Sequence, residues 1–366
     1  MSDRQKLIML PGPTNVSERV MRAMLKPVIN HRGDSFRELH KGLLGRAKQL
    51  FQTEDEVIVF SSSGTGGVEA AVLNLIRPGD TAVVPVFGEF SSRLAETVGL
   101  AGGKAIEVKS EFGSAPSLGE LEAAMDRLGK FKALFLVHNE TSTGVAVPYV
   151  EAASKLGRDH GAFVVIDAIS SLGGYAIPMD RWGIDMCIAG SQKCVAAPPG
   201  LVLVSFSRRV AEYVKESPPN TRYFDMARYL EYGTRGETPF TPALPLFYAL
   251  DEALKELLEE GLSKRVERHD RMSQEIYGGL SKLGLKQVAS NDVRSKTVVA
   301  TFYPQGVEDA QFRRALAREK DIVIAGGFGP FAGKVFRIGC MGQINHDYVV
   351  RTLSAVDEML KKSKSS

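Results

Sequence analysis

Residues 162–166, Ala-Phe-Val-Val-Ile, form an unbroken apolar run that ends abruptly at Asp167. A run of that length, stopped by a polar residue, reads as a strand buried on both faces. Further strands are expected at 57–60, 81–86, 104–108, 133–137, 185–189 and 201–206. Between them lie stretches with helical spacing: Val68, Ala71, Val72, Leu75 and Ile76 after the first, residues 90–100 after the second, and 149–160 before Asp167. Buried strands separated by helices predict an α/β fold with a mainly parallel sheet covered on both sides. In such sheets ligands collect outside the carboxyl ends of the strands. Ser63, Thr141, Asp167 and Lys193 all fall there.

From about Pro245 the pattern changes. A helical stretch over 246–283, with a break near Gly261, precedes strands at 297–302 and 335–338 and a terminal helix over 348–360. This predicts an N-terminal arm (1–18), a large domain (19–265) and a smaller α+β domain (266–366). The 366 residues suffice for two cores. With 46 basic and 43 acidic residues, the net charge of +3 provides no concentrated basic face for nucleic acid. Cys187, Cys194 and Cys340 match neither a disulfide framework nor a zinc spacing, so no metal is expected and a reducing compartment is. The segment 1–6 runs into only four consecutive apolar residues before Pro11, too few for a signal-peptide core. No segment approaches the roughly 18 apolar residues of a membrane span. A soluble cytoplasmic protein is the expectation, and the tail Lys361-Lys362-Ser363-Lys364-Ser365-Ser366 reads as a frayed terminus.

Three segments could carry chemistry. Ser61-Ser62-Ser63-Gly64-Thr65-Gly66-Gly67 lies between a strand and a helix. Small residues there let backbone N–H groups approach a phosphate at a helix N-terminus, although a flexible capped turn would look the same. Asp167, at the end of an apolar strand, is costly to bury unless paired. It could face a protonated ring nitrogen, or serve as a helix cap or structural ion pair. Lys193 follows Gly190-Ser191-Gln192 and precedes Pro198-Pro199-Gly200, with no other charged residue between Cys187 and Phe206. Desolvation lowers the pKa of such an amine and lets it attack an aldehyde, whereas most lysines lie on the surface.

Taken in order, Ser63-Gly64-Thr65, His138-Asn139-Glu140-Thr141-Ser142-Thr143-Gly144, Asp167 and Gly190-Ser191-Gln192-Lys193 resemble the class V aminotransferases. The likeness is to the alanine–glyoxylate and serine–glyoxylate (or serine–pyruvate) enzymes. It runs from Pro11-Gly12-Pro13 to Gly333-Lys334-Val335-Phe336-Arg337-Ile338-Gly339. The resemblance implies the fold type I of pyridoxal-phosphate-dependent transferases, with a seven-stranded sheet in the large domain. It implies that Lys193 carries pyridoxal 5'-phosphate as a Schiff base and later moves a proton, and that Asp167 pairs with the pyridine nitrogen. Phe90 would stack on the ring, where some relatives have tryptophan, and Thr141 would bond its hydroxyl side. Ser63, Gly64, Thr65 and Gln192 would line the phosphate site. Thr238 and Thr241 would reach the cofactor of a neighbouring subunit, so a homodimer is implied; some relatives have a tyrosine near Thr238. Arg337 would clamp the substrate carboxylate, with Gly12 and Thr141 beside the substrate. His31 and Arg32, in Asn30-His31-Arg32-Gly33, are further candidates to face it.

The expected reaction moves an amino group from alanine or serine to glyoxylate or pyruvate by a ping-pong mechanism. An aspartate or 2-aminoethylphosphonate–pyruvate transaminase is the nearest alternative, and Arg32 or Arg235 could serve a phosphonate. A cysteine desulfurase would need a thiol on a mobile loop, for which Cys340 follows Arg337 too closely. A non-enzymatic subunit on the same scaffold should have lost Lys193, Asp167 or Arg337, and all three are present.

Overall fold

In a computed structural model, which describes residues 6–365, the seven expected strands form one sheet. Its strands lie in the order Glu56–Phe60, Val202–Phe206, Met186–Gly190, Phe163–Asp167, Ala133–Val137, Thr81–Val86 and Lys104–Lys109. Val202–Phe206 runs antiparallel to both neighbours, and the other six strands point the same way. An apolar run carries no direction, so the reversed strand was not legible in the sequence. Six carboxyl ends therefore share one edge of the sheet.

Successive side chains of a strand point to opposite faces, and both faces here are covered. Val164 and Ile166 enter a core with Phe36 and Leu43 of the helix Asp34–Phe51 and Phe247 and Leu250 of Leu244–Glu260. Phe163 and Val165 enter the opposite core, with Val72 and Leu75 of Gly64–Leu75 and Leu94 of Glu89–Leu100. A third core lies under an antiparallel sheet of Val298–Phe302, Val335–Gly339 and Ala325–Gly326, packed by Leu262–Lys282, Asp309–Glu319 and the terminal helix His346–Ser365.

The long helical stretch divides at Gly261, whose φ of +84° suits a residue without a Cβ. The C-terminal tail departs from expectation. It continues the last helix, and Lys361 and Lys362 pair with Asp357 and Glu319. Ser366, like Met1-Ser2-Asp3-Arg4-Gln5 of the N-terminal arm, lies outside the described residues. The arm is anchored on the C-terminal unit. Leu7–Ile8 pairs in parallel with Ile322–Val323, and the Gly339 N–H donates to the Met9 carbonyl at 2.8 Å. A Cβ on Gly339 would lie 1.9 Å from the Leu10 carbonyl oxygen, so only glycine permits this approach. The anchoring carries Pro11 and Gly12 over the edge of the large sheet. Among the described residues, no helix is long and apolar enough to cross a membrane.

Candidate active site

Lys193 lies in the turn that leaves Met186–Gly190. The Ser191 hydroxyl donates to the Pro198 carbonyl at 2.7 Å, and the Ala197 N–H to the Ser191 carbonyl at 2.9 Å, which pins the loop. The lysine amine donates to the Pro11 carbonyl of the arm. Burial pulls this amine down to about 8; Arg337 pushes the same way, and Asp167 opposes. A Cβ at Gly12, whose φ is +92°, would lie 2.5 Å from the Lys193 Cδ, so the arm can cross here only as glycine.

Asp167 ends its strand with its carboxylate accepting from the Ile169 N–H at 3.0 Å. Burial raises it to about 6; the Ile169 bond and Lys193 oppose this, and Glu140 adds to it. An acid raised by desolvation is poised to become anionic once a cation is placed beside it. Lys193 and Asp167 line a cavity of about 170 Å³ with Ser63, Gly64, Thr65, Phe90, Thr141 and Gln192. Arg93, Asn139 and Ser170 also line it and were not anticipated. A larger cavity of about 460 Å³, beside the edge strand Glu56–Phe60, contains none of these groups.

Two features suit a phosphate-bearing ring. Ser63 precedes the helix Gly64–Leu75 without capping it, so the first N–H groups, which have no intrahelical partner, remain available to an anion. The Gln192 side-chain oxygen is buried with no hydrogen-bond partner, so nothing holds the amide in that orientation, and turned about its last bond it presents N–H donors to an anion. A Cβ at Gly64 would lie 2.8 Å from Ile169, and one at Gly66 would lie 2.0 Å from the Ser62 hydroxyl, so the small residues keep this corner open.

Glu140, to which the motif assigned no role, organises one wall of the site. Its buried carboxylate accepts from the N–H groups of Phe90 (3.0 Å) and Ser91 (2.9 Å) at the start of the helix Glu89–Leu100. It also accepts from the hydroxyls of Ser91 (3.1 Å) and Ser142 (2.6 Å). A carboxylate at a helix N-terminus is favourable, and this one fixes the backbone of Phe90. Gly88 makes room for it, since a Cβ there would lie 2.3 Å from the Glu140 Cγ. Glu140→Leu would leave these donors unpaired and is expected to destabilise the fold by about 3–5 kcal/mol, with a smaller loss for Glu140→Gln. Urea unfolding measures this, and a Leu variant within about 1 kcal/mol of wild type would contradict the role.

Arg337 reaches the same place from the smaller sheet. Its Nε donates to the Gly326 carbonyl at 2.7 Å and its Nη1 to the Thr141 carbonyl at 2.8 Å. Three of the five guanidinium N–H groups are left over, enough to grip a carboxylate along one planar edge. Burial lowers its pKa to about 10, still high enough to stay charged at neutral pH.

Other candidates lie elsewhere. Thr238 is buried and donates its hydroxyl to the Phe240 carbonyl at 2.7 Å, while Thr241 is exposed; neither lines the cavity of this chain. Arg32 pairs with Glu237 at 3.0 Å and donates to the Thr238 carbonyl at 2.6 Å, so it braces that loop rather than facing the cavity. Arg235 pairs with Glu231, and His31 is not among the lining residues. The three cysteines are free and buried, and burial pushes the Cys194 thiol up to about 12. None offers the exposed thiolate that desulfurase chemistry needs.

The family model described as aminotransferase class-V matches residues 10–331. An uncharacterized aminotransferase of Methanocaldococcus jannaschii is 38% identical, over 98% of this chain and 93% of its own. A serine–glyoxylate aminotransferase of Methylorubrum extorquens is 35% identical, over 92% and 87%. A Synechococcus relative named as the small subunit of a soluble hydrogenase is 34% identical, over 97% and 92%. The crystal structure of a Nostoc alanine–glyoxylate aminotransferase superposes with a TM-score of 0.94 at 31% identity, covering 98% of this chain and 96% of that one. On this similarity the chain belongs to the class V aminotransferases, enzymes that depend on pyridoxal phosphate.

Proposed function

We propose that this aminotransferase moves an amino group from a small amino acid, alanine or serine, to glyoxylate or pyruvate in two half-reactions at Lys193. The observation that carries the reading is one small cavity in which a buried amine near 8 and a buried acid near 6 meet, with Arg337 against its Thr141 wall. The names of the serine– and alanine–glyoxylate relatives support the choice of substrates.

Ser63, Gly64, Thr65 and Gln192 would hold the phosphate, Phe90 would cover a ring face, and Asp167 would meet the ring nitrogen. When bound, pyridoxal phosphate supplies an aldehyde that takes up an amine and a ring that accepts electron density from the substrate carbon. The residues of the chain set the rest. Arg337 fixes the carboxylate and thereby orients the bonds at Cα. The Lys193 Nζ takes the α-proton from the donor and later returns one to the Cα of the product amino acid. The Pro11 carbonyl would receive the amine when it is free, as it does in this structure, where the arm crosses the lysine at Gly12.

The proposal includes a homodimer in which exposed Thr241, on the loop braced by Arg32, contacts the neighbouring cofactor site; Thr238 has already committed its hydroxyl to Phe240. Free thiols at all three cysteines support a cytoplasmic setting. Incubation with 15N-alanine and glyoxylate should yield 15N-glycine and pyruvate by mass spectrometry. Consumption of alanine without label in glycine would sink the reading.

A further inference from the structure

A large apolar side chain stands exposed where a substrate would enter. Phe328 is 37% exposed, yet it is held firmly. It precedes the short turn Gly329–Phe331, where the Phe331 N–H donates to the Phe328 carbonyl at 2.9 Å. A Cβ on the preceding Gly327 would lie 2.2 Å from the Phe331 carbonyl oxygen, so the loop is tightly folded. Phe331 in turn packs edge-on against Phe302 at 5.6 Å and Phe112 at 5.9 Å. The loop is anchored, and Phe328 is the side chain it presents.

That ring touches two parts of the candidate site. The Arg337 guanidinium lies 4.5 Å from its centroid, and the Phe90 ring meets it at 6.1 Å and 86°. Phe328 thus covers one face of the carboxylate clamp and abuts the residue placed over the cofactor ring. A substrate held by Arg337 must extend its side chain past this wall. The wall is apolar, and two other guanidinium groups of the region are already paired: Arg93 with Glu89 at 2.8 Å and Arg313 with Asp309. Among the described residues, a second carboxylate or a phosphonate would have to displace Glu89 or Asp309 to reach these cations, and a long chain would meet the ring.

We infer that Phe328 is a specificity-determining residue that restricts the amino donor to short, uncharged side chains, on the reading that Arg337 receives the substrate carboxylate. It acts by exclusion. Loss of a methylene-sized space in such a pocket changes kcat/KM by about tenfold or more.

The test uses holoenzyme with glyoxylate as acceptor and alanine, 2-aminobutyrate, norvaline and aspartate as donors. Wild type should lose kcat/KM by about tenfold for each added methylene and use aspartate poorly. Phe328→Ala should raise the norvaline-to-alanine ratio by at least about tenfold, and Phe328→Leu by less. Calorimetric binding of 2-oxopentanoate against pyruvate should shift in the same direction, which separates pocket size from turnover. A ratio that moves less than about twofold in a Phe328→Ala protein with wild-type melting would overturn the inference. A wild type inactive on every donor, serine included, with either glyoxylate or pyruvate would instead overturn the transaminase reading on which it rests.

Discussion

Lys193→Ala is expected to reduce transamination by at least about 10²–10⁴-fold, the usual contribution of a positioned proton-transfer group. The loss should fall on turnover, because Arg337 and the small-residue corner that would bind the two ligands are untouched. The same amine makes a pH prediction. Its buried position brings it to about 8. Below that value it is an ammonium and cannot attack an aldehyde; above it the neutral amine prevails. Capture of pyridoxal phosphate by cofactor-free wild type should therefore quicken as pH rises through about 8 and then level off. Stopped-flow absorbance measures this, and a residual Lys193→Ala rate within about tenfold of wild type would contradict the role.

Asp167→Asn should lower turnover by roughly 10²–10³-fold, the scale on which removal of one preorganised electrostatic partner is felt. The carboxylate and amide have nearly the same shape, so the fold should survive. The carboxyl sits near 6 in the cofactor-free protein because it is buried. Its role beside a ring nitrogen needs the anion. The two agree if the ring arrives as a cation, since an opposite charge within the site lowers an acid that burial has raised. Wild-type affinity for the cofactor should then weaken as pH falls through about 6, where the bare carboxyl becomes neutral. The Asn variant should show no such dependence. Equilibrium dialysis across pH would expose a pair of superimposable profiles, which would refute the ion pair.

Much of the large sheet was legible because its strands are buried on both faces and read as plain apolar runs. Residues 133–137 and 162–166 illustrate this, and the second is placed as Phe163–Asp167. The direction of Val202–Phe206 was not legible, because packing against two neighbours demands the same residues either way. The two-residue pairing of Leu7–Ile8 with Ile322–Val323 joins positions more than 300 residues apart and has no periodic signal.

The candidate site divides along similar lines. Asp167 and Lys193 stood out because a charge interrupts apolar or small residues, and the cavity brings them together. Glu140 sits among His138, Asn139 and Thr141, where another polar residue attracts no notice; its importance lies in donors from residues 90, 91 and 142 that only the fold assembles. Phe328 was hidden in Gly326-Gly327-Phe328-Gly329-Pro330, which reads as a loop. Arg32 looked like a candidate ligand group, but Glu237 and the Thr238 carbonyl claim it.

Everything proposed for the site requires that Lys193 carry the cofactor. Borohydride reduction of protein incubated with pyridoxal phosphate, followed by peptide mapping, tests it directly. The expected result is a stable adduct on the peptide containing Lys193, lost when alanine is added before reduction and restored by subsequent glyoxylate. An adduct confined to other lysines, or one at Lys193 that alanine does not remove, would contradict it.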